Sequence, residues 1–544
     1  MDVLIVASGQ SSRLVNYTKD YLPKYLLNID NYPALVKIIN YWSKYAQRFF
    51  LVIHEKFDTI TQFIIDHFLE KFKKQIIIFH YNNYDGTAYT IQTIFNNHLI
   101  KHDVKNLLIT WSDILPKEEL NMHHFQISKF KKTQNNVYIF TYGNECRYIL
   151  DNTNKIVKSN NGNIIGIYYI QNIDFKFIKK IEKNIDIVEY LSFLEDNSLY
   201  HYELNDLLDF GDEQKYESII EYQNDQNKMN CRSFNEINIK HNQLLKRALN
   251  EKGIQVIKHE IGFYKFLDTL TEKNDKNNNN LQCQIRDYFP KIYNYYESAF
   301  SMEYKKDTVN LYKFLKSNNK ATNEETLKHI LDKLRILHQF KKVKIQKVQF
   351  LHDIKGEIYD KIVNRIKVIQ PLIDYFPSFK KVNGIYISSF ETLLTKIHKY
   401  IFNYYELLDD YTYSIIHGDP NFSNILIHPD THETCFIDPR GYFSKTENYG
   451  PSDYDYAKIL YALSGYDKFN NHHFVIDNIS EKELNFTIEK IDISDAFIDQ
   501  HFNKIHKMMV VIIWIGLAEY NKNNIWKCLV SYYHGLYLGT LIDF

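Results

Sequence analysis

Cysteine is scarce in this chain, and what there is stands scattered. Five occur in 544 residues: Cys146, Cys231, Cys283, Cys435 and Cys528. They are odd in number and never form C-x-x-C, so neither a disulfide framework nor a cysteine zinc site is expected, and the setting reads as reduced and cytoplasmic. An excess of one charge is missing too. Lysine and arginine total 66, and so do aspartate and glutamate, which argues against a general nucleic-acid binder with its basic surplus. Long apolar runs are also missing. The longest, Met508 to Ala518, is too short to cross a bilayer and reads as a buried C-terminal helix. No basic segment precedes the opening apolar run Val3-Leu4-Ile5-Val6, so a signal peptide is not expected. Glycine (17) and proline (10) are few while tyrosine (44) is abundant; this reads as a bias towards A/T-rich codons.

What is present describes a globular protein of several domains. Hydrophobic residues make up 44% and charged residues 24%, and the length exceeds one ordinary core. Residues 2–7 read as a fully buried strand, followed by the turn Ser8 to Arg13. A helix from Ala34 to Tyr45, a strand from Phe49 to Ile53, a helix over Asp58–Phe72 and a strand from Gln75 to Phe79 follow. This alternation predicts an open, mostly parallel α/β sheet that binds its ligand at the carboxyl ends of its strands. The first turn is an ordinary βα turn or an anion cradle. G-x-G-x-x-G fails, since Gly9 stands alone, so a dinucleotide fold is disfavoured. Arg13 and Lys24 favour a triphosphate. Asp113 ends the buried run Leu107 to Ser112, and Asp209 follows Leu207-Leu208. Two carboxylates holding Mg²⁺ against a triphosphate suit nucleotidyl transfer.

Residues 1 to about 220 resemble the sugar-nucleotide pyrophosphorylase and small-alcohol cytidylyltransferase superfamily, with its Rossmann-like open sheet. Its A-x-G-x-G-[ST]-R opening stands here as Ala7-Ser8-Gly9-Gln10-Ser11-Ser12-Arg13, and its P-K-x-L as Pro23-Lys24-Tyr25-Leu26. The resemblance implies nucleotide binding by Ala7, Gly9, Ser12 and the loop Gly86-Thr87-Ala88. It implies catalysis by Arg13 and Lys24, Mg²⁺ on Asp113 and Asp209, and substrate binding by Lys158, ahead of Gly166-Ile167-Tyr168. One position departs: Ser11 replaces the second loop glycine, and its Cβ is expected to crowd the triphosphate.

The polar stretch Glu221 to Asn230 reads as a linker, placing the first domain at 1–222, the linker at 223–230 and the second domain at 231–544. Within the latter, a small lobe is expected over 231–304 and a large helical lobe over 305–544. Two strands, Phe234 to Ile239 and Gln243 to Ala248, flank the turn Lys240-His241-Asn242. Lys246 lies on the second, and Glu260 follows on a helix from Gln255 to Leu267. Taken singly, each reads as a solvated surface charge. In this order, a strand lysine and a helix glutamate are how kinases fix the α- and β-phosphates of ATP. Glu303 marks a hinge where adenine would dock. Residues 271–280 are low-complexity, and an amphipathic helix is expected from Asn323 to Phe340. The most informative stretch is Ile416 to Gly441. Asp419 and Asn424 stand in D-x-x-x-x-N, and Asp438 follows an apolar strand. A lone D-x-x-x-x-N also fits a structural Asx turn. With Asp438, it is the spacing phosphoryl transfer needs: Asp419 to orient the hydroxyl and take its proton, Asn424 and Asp438 to hold Mg²⁺. His417 reads as a packing residue.

From about Cys231 onward the chain resembles the aminoglycoside phosphotransferase and choline kinase superfamily, whose fold is two-lobed and protein-kinase-like. The match rests on His417-Gly418-Asp419, Asn424 and Ile437-Asp438-Pro439-Arg440-Gly441. Tyr454-Asp455-Tyr456-Ala457-Lys458 and Arg232 to Ile237 further resemble a capsule-associated subgroup, with Asp455 tying the catalytic loop to a helix. Together the resemblances imply a bifunctional cytoplasmic enzyme. It would use ATP, a second nucleoside triphosphate (CTP favoured) and Mg²⁺ on a small alcohol or sugar, with no nucleic-acid partner and no membrane insertion. A kinase with a degenerate first domain and a non-catalytic nucleotide-binding regulator stay open.

Overall fold

A computed structural model describes residues 1–83, 87–97, 102–121, 136–150, 155–171, 187–191, 199–226, 234–272, 285–471 and 473–543. The chain divides into two compact units. One comprises Met1–Asp225 with Pro371–Phe376 and Asn523–Ile525; the other comprises Gln226–Gln370, Pro377–Lys522 and Trp526–Phe544.

The first unit is a seven-stranded sheet with helices. Its elements are β1 (Asp2–Val6), α1 (Ala34–Trp42), β2 (Arg48–Ile53), α2 (Asp58–Phe68), β3 (Ile76–His80), α3 (Thr87–Asn97), β4 (Leu107–Trp111), β5 (Ile114–Pro116), β6 (Asn136–Leu150), β7 (Ile156–Gln171), β8 (Leu199–Glu203), β9 (Leu207–Asp209) and α4 (Glu213–Gln226). The strand order is β8-β6-β7-β4-β1-β2-β3. Strands β1 to β4 run parallel, and β7 runs antiparallel to both β4 and β6. The apolar run Val3-Leu4-Ile5 is fully buried, as a central parallel strand covered on both faces must be. Strand order reverses between β1 and β4, where Val6 pairs with Trp111. The loop after β1 and the acid after β4 therefore emerge side by side at the switch point of the sheet. Gly166 on β7 makes room for the Trp111 ring: a Cβ there would stand 1.5 Å from its Cδ1.

The second unit begins with a four-stranded antiparallel sheet, order β10-β11-β13-β12. Here β10 is Asn235–Lys240, β11 Gln243–Ala248, β12 Ile292–Tyr295 and β13 Ala299–Glu303, with α5 (Glu251–Glu272) following β11. His241 and Asn242 both take positive φ, 48° and 63°, as a two-residue hairpin turn requires. The remainder is mainly helical and includes α6 (Lys320–Phe340), α7 (Phe390–Glu406), α8 (Asp453–Leu463), α9 (Lys504–Tyr520) and α10 (Ile525–Thr540). Two short antiparallel strands, β14 (Ile425–Ile427) and β15 (Thr434–Phe436), support the 417–441 segment.

Three expectations need correcting. Glu221 to Gln226 is helix, not linker, because Tyr216 and Ile219 carry the buried face of α4 one turn earlier; residues 227–230 lie outside the described residues. The helix after β2 ends at Phe68 and gives way to a 3-10 turn over Glu70–Gln75. The apolar run 508–518 is buried as expected but lies in α9, and α10 follows it. Most of the low-complexity segment, 273–280, lies outside the described residues. No described helix is long and apolar enough to cross a membrane, and the described cysteines Cys146, Cys435 and Cys528 are unpaired.

Burial also sets a pH response. Lys527, buried at the start of α10, donates from Nζ to the Asn470 carbonyl at 2.6 Å, and burial pushes its pKa down to about 7. The unfolded chain holds that proton up to about pH 10. The folded state is therefore penalised at neutral pH and relieved as pH rises from about 7 to 10. Lys527→Met is expected to raise the denaturation midpoint at pH 7, with the gain shrinking by pH 10. A gain independent of pH would refute this origin.

Candidate active sites

In the first unit, four charged residues from three separate stretches of the sequence meet. The Lys24 Nζ lies 2.5 Å from Asp113 Oδ2, and the Lys215 Nζ lies 2.5 Å from Asp209 Oδ2. The two carboxylates converge on Gly211. A Cβ added there would meet Asp113 Oδ2 at 2.9 Å and Asp209 Oδ1 at 3.2 Å. The short pairing of β9 with β5 sets this up: Asp209 stands opposite Ile114, and the Phe210 N–H donates to the Asp113 carbonyl at 3.0 Å. Asp113 is buried, and its Oδ1 has no hydrogen-bond partner among the described residues. A divalent cation fits this pair: an orphaned buried carboxylate oxygen, a second acid beside it, and a cradle kept open by glycine.

The loop before them is shaped by Ser11. Its φ is 57°, the left-handed region that favours glycine, which is why this position suits one. Ser11 holds it by accepting a 3.0 Å hydrogen bond on Oγ from the Lys24 N–H, while its carbonyl accepts from Leu14 N–H at 2.9 Å. The side chain is thus directed at the backbone of Lys24. Gly9, Ser12 and Arg13 are exposed, and Ala7 is buried. Ala88 is buried at the start of α3, and the Thr87 hydroxyl accepts from Ile187 N–H at 3.1 Å. Gly86 lies outside the described residues. Lys158 is exposed on β7 opposite Tyr148. Cys146, whose thiol feels the charges of Lys215 and Asp209, pairs with Gly162; Lys158 stands a further four residues, about 13 Å, along that strand.

In the second unit, the Lys246 ammonium is buried between two carboxylates, 2.8 Å from Glu260 Oε2 and 3.0 Å from Asp438 Oδ1. Burial opposes its charge, but Asp438 and Glu260 outweigh burial and raise its pKa above the ordinary lysine range. Burial pushes Glu260 up as well. Asp438 takes a φ of 55° and is the more exposed of the two acids. The 417–424 loop is held from beneath. Asp455, fully buried, accepts from His417 N–H at 2.9 Å, Gly418 N–H at 2.7 Å and the His338 ring at 2.9 Å. His417 is buried, and burial lowers its pKa. Its Nδ1 accepts from Asp419 N–H at 3.2 Å, which leaves Nε2 to donate to the Ile437 carbonyl at 2.9 Å. It is a neutral brace, as its sequence context suggests. Asp467, pushed up to about 7 by burial, accepts from Phe422 N–H, Ser423 N–H and the Ser423 hydroxyl. Asn424 Nδ2 donates to the Asp419 carbonyl at 2.9 Å, which turns the amide oxygen away from that bond. That oxygen and the Asp438 carboxylate are hard oxygen donors of the kind Mg²⁺ takes. Arg440 is committed to the fold: it grips Glu357 through both terminal nitrogens, at 2.9 and 3.1 Å. Glu303 ends β13 with its carboxylate 2.9 Å from Lys305 Nζ.

Sequence reasoning gave no site role to two lysines. Lys215 stands on α4 against Asp209, and Lys458 on α8 lies 3.0 Å from Asp419 Oδ1. Lys458 follows Asp455 by three residues, one helical turn, and that was the available signal. No described group of three or more His, Cys, Asp or Glu residues is placed to hold a metal alone, so each pair would need substrate oxygens to complete a shell.

The N-terminal region is similar to solved nucleotidyltransferase structures. The inositol-1-phosphate CTP transferase from T. maritima matches with 14% identity over 42% of this chain and 96% of that one, TM-score 0.32. The nucleoside-diphosphate-sugar pyrophosphorylase from Vibrio cholerae matches with 16% identity over 40% and 99%, TM-score 0.32. The CTP:phosphocholine cytidylyltransferase from Streptococcus pneumoniae matches with 16% identity over 41% and 98%, TM-score 0.31. No family model matches the chain. No curated protein matches it either.

Substitutions at Ser11, Lys246 and Glu260 test these geometries. Ser11→Ala keeps the left-handed strain and loses the hydrogen bond, so it is expected to cost about 1 kcal/mol. Ser11→Gly loses the bond but relieves about 1 kcal/mol of strain, so its denaturation midpoint should stay near wild type. Lys246→Met strands two carboxylates and is expected to cost about 3 kcal/mol. Adding Glu260→Gln should recover part of that loss in the same denaturation experiment.

Proposed function

We propose that the chain is a bifunctional transferase that makes a nucleotide-activated small alcohol or sugar, for decorating a surface polysaccharide or lipid. The second unit is a kinase-like phosphotransferase that phosphorylates a hydroxyl with ATP. The first joins the resulting phosphate to a nucleoside monophosphate taken from CTP or another triphosphate. The observation that supports this most directly is the burial of Lys246 between Glu260 and Asp438. That arrangement holds a cation in place for ATP phosphates next to an acid suited to Mg²⁺.

In the first reaction Lys246 holds the α- and β-phosphates, Glu260 fixes Lys246, and the Glu303 segment docks the adenine. Asp419 orients the acceptor hydroxyl. Its oxygen forms a bond to the γ-phosphorus, the bond from γ-phosphorus to the bridging oxygen breaks, ADP leaves with the electron pair, and Asp419 takes the proton. Asn424 and Asp438 would hold Mg²⁺, which neutralises phosphate charge. In the second reaction Arg13 and the loop from Ala7 through Gly9 to Ser12 hold the triphosphate. The segment Gly86-Thr87-Ala88 approaches the base or sugar, Lys24 faces the phosphates, and Lys158 binds the phosphorylated acceptor. The acceptor phosphate forms a bond to the α-phosphorus as pyrophosphate leaves, with Asp113 and Asp209 as the metal-holding pair. The partners are small molecules, with no nucleic acid and no membrane insertion, in a cytoplasmic setting. The Ser11 hydroxyl, directed at Lys24 N–H, supports a working first unit over a degenerate one.

The test is to incubate the protein with Mg²⁺, ATP, CTP, UTP and GTP and a panel of choline, ethanolamine, glycerol and glucose, following products by mass. A phosphorylated acceptor and then its nucleotide conjugate are expected. Asp419→Ala should abolish the first and Asp113→Ala the second, each by about 10²-fold or more. Phosphorylation equal in Asp419→Ala and wild type would sink the kinase assignment. Pyrophosphate release untouched by Asp113→Ala would remove the metal pair.

A further inference from the structure

We propose that Lys458, on helix α8, is a positioning residue for Asp419; this rests on the kinase reading above. Asp455 and Lys458 stand three residues apart on α8 and so share a face. They engage three consecutive loop residues. Asp455 accepts the backbone N–H groups of His417 and Gly418, and one turn later Lys458 reaches the side chain of Asp419, with Nζ 3.0 Å from Oδ1. The backbone grip sets where the carboxylate starts; the ion pair sets how it is turned.

The pair is well placed to do this. The Lys458 and Asp419 side chains are only 13% and 16% exposed, so the interaction is screened less than a surface ion pair. The ammonium lies 5.3 Å from the Tyr461 ring centroid and 5.7 Å from that of Tyr454, which confines it by cation–π attraction. Tyr454 is itself fixed: its hydroxyl donates to Glu357 at 3.1 Å and accepts from Arg440 at 2.7 Å. The other carboxylate oxygen, Oδ2, has different neighbours, the amide Nδ2 groups of Asn421 at 3.3 Å and Asn424 at 3.4 Å. The two oxygens are thus distinguished, one facing a cation and one facing amides. Between Asp419 and Asn424 the loop reads Pro420-Asn421-Phe422-Ser423 and carries no cation. The helix supplies the one the loop lacks.

A structural ion pair and a positioning one differ in what they move. Lys458→Met keeps the stem on the two tyrosines and removes the charge. With the full-length protein, Mg·ATP and an equimolar mixture of choline, ethanolamine, glycerol and glucose, it is expected to lower kcat for phosphate transfer by about 10²-fold. KM for ATP should be unchanged, since Lys246 and not Lys458 holds the phosphates, and Lys458→Arg should restore most of kcat. Wild-type kcat in Lys458→Met, or a loss confined to KM, overturns the proposal. So does a loss of kcat that Lys458→Arg leaves unrestored. Collapse of the thermal midpoint in Lys458→Met with Lys458→Arg still folded assigns the pair to stability and overturns it too. Asp419→Asn is measured in parallel. If it transfers phosphate like the wild type, or the wild type transfers to none of the four alcohols, the kinase reading itself falls. If Asp419→Asn is inactive and Lys458→Met is not, only the role of Lys458 falls.

Discussion

A carboxylate with no exposure to water, Asp455, holds the 417–424 loop in shape. Burying an unpaired charge costs several kcal/mol, so Asp455 can sit where it does only because two backbone N–H groups and a histidine ring face it. The requirement runs both ways. Gly418 must take a φ of 83° to aim its N–H, and a Cβ there would stand 3.0 Å from that of Arg440. That fixes the 438–441 turn, whose Arg440 N–H returns to the His417 carbonyl at 2.9 Å. One desolvated acid thus propagates order through both segments that carry Asp419, Asn424 and Asp438.

The two units reach similar local solutions by different routes. In the first, a topological switch in a mostly parallel sheet brings the loop after β1 beside the acid after β4, and a short β-pairing adds Asp209. In the second, a strand lysine, a helix glutamate and a loop aspartate close around one buried ammonium. In both, each acid faces a lysine in the protein itself. A lysine so placed offsets the repulsion between neighbouring carboxylates.

Much of this was legible in the sequence. The buried strands β1, β2 and β4 announce themselves as unbroken apolar runs, and such runs read clearly because a sheet covered on both faces needs no alternation. The hairpin at Lys240-His241-Asn242 was legible from its short polar break. The α4 helix was hidden because its end, Glu221 to Gln226, is polar apart from the exposed Tyr222, and such a helix end looks like a linker until Tyr216 and Ile219 are seen buried. The partners of Lys215 and Lys458 were hidden for another reason. A lysine on a helix pairs with whatever the fold brings opposite, and Asp419 lies 39 residues from Lys458, beyond the reach of local periodicity. Ser11 was legible as a departure, but its hydrogen bond to Lys24, 13 residues away, was not.

Gly166 yields its space to the Trp111 ring, and Trp111 is two residues from Asp113. The indole is half-buried, as is that of Trp526, whereas Trp42 and Trp514 are sealed in the core. The chain therefore carries a native fluorophore two residues from one acid of that pair. On the proposed reading, a cation or nucleotide arriving at Asp113 would change tryptophan emission without any label.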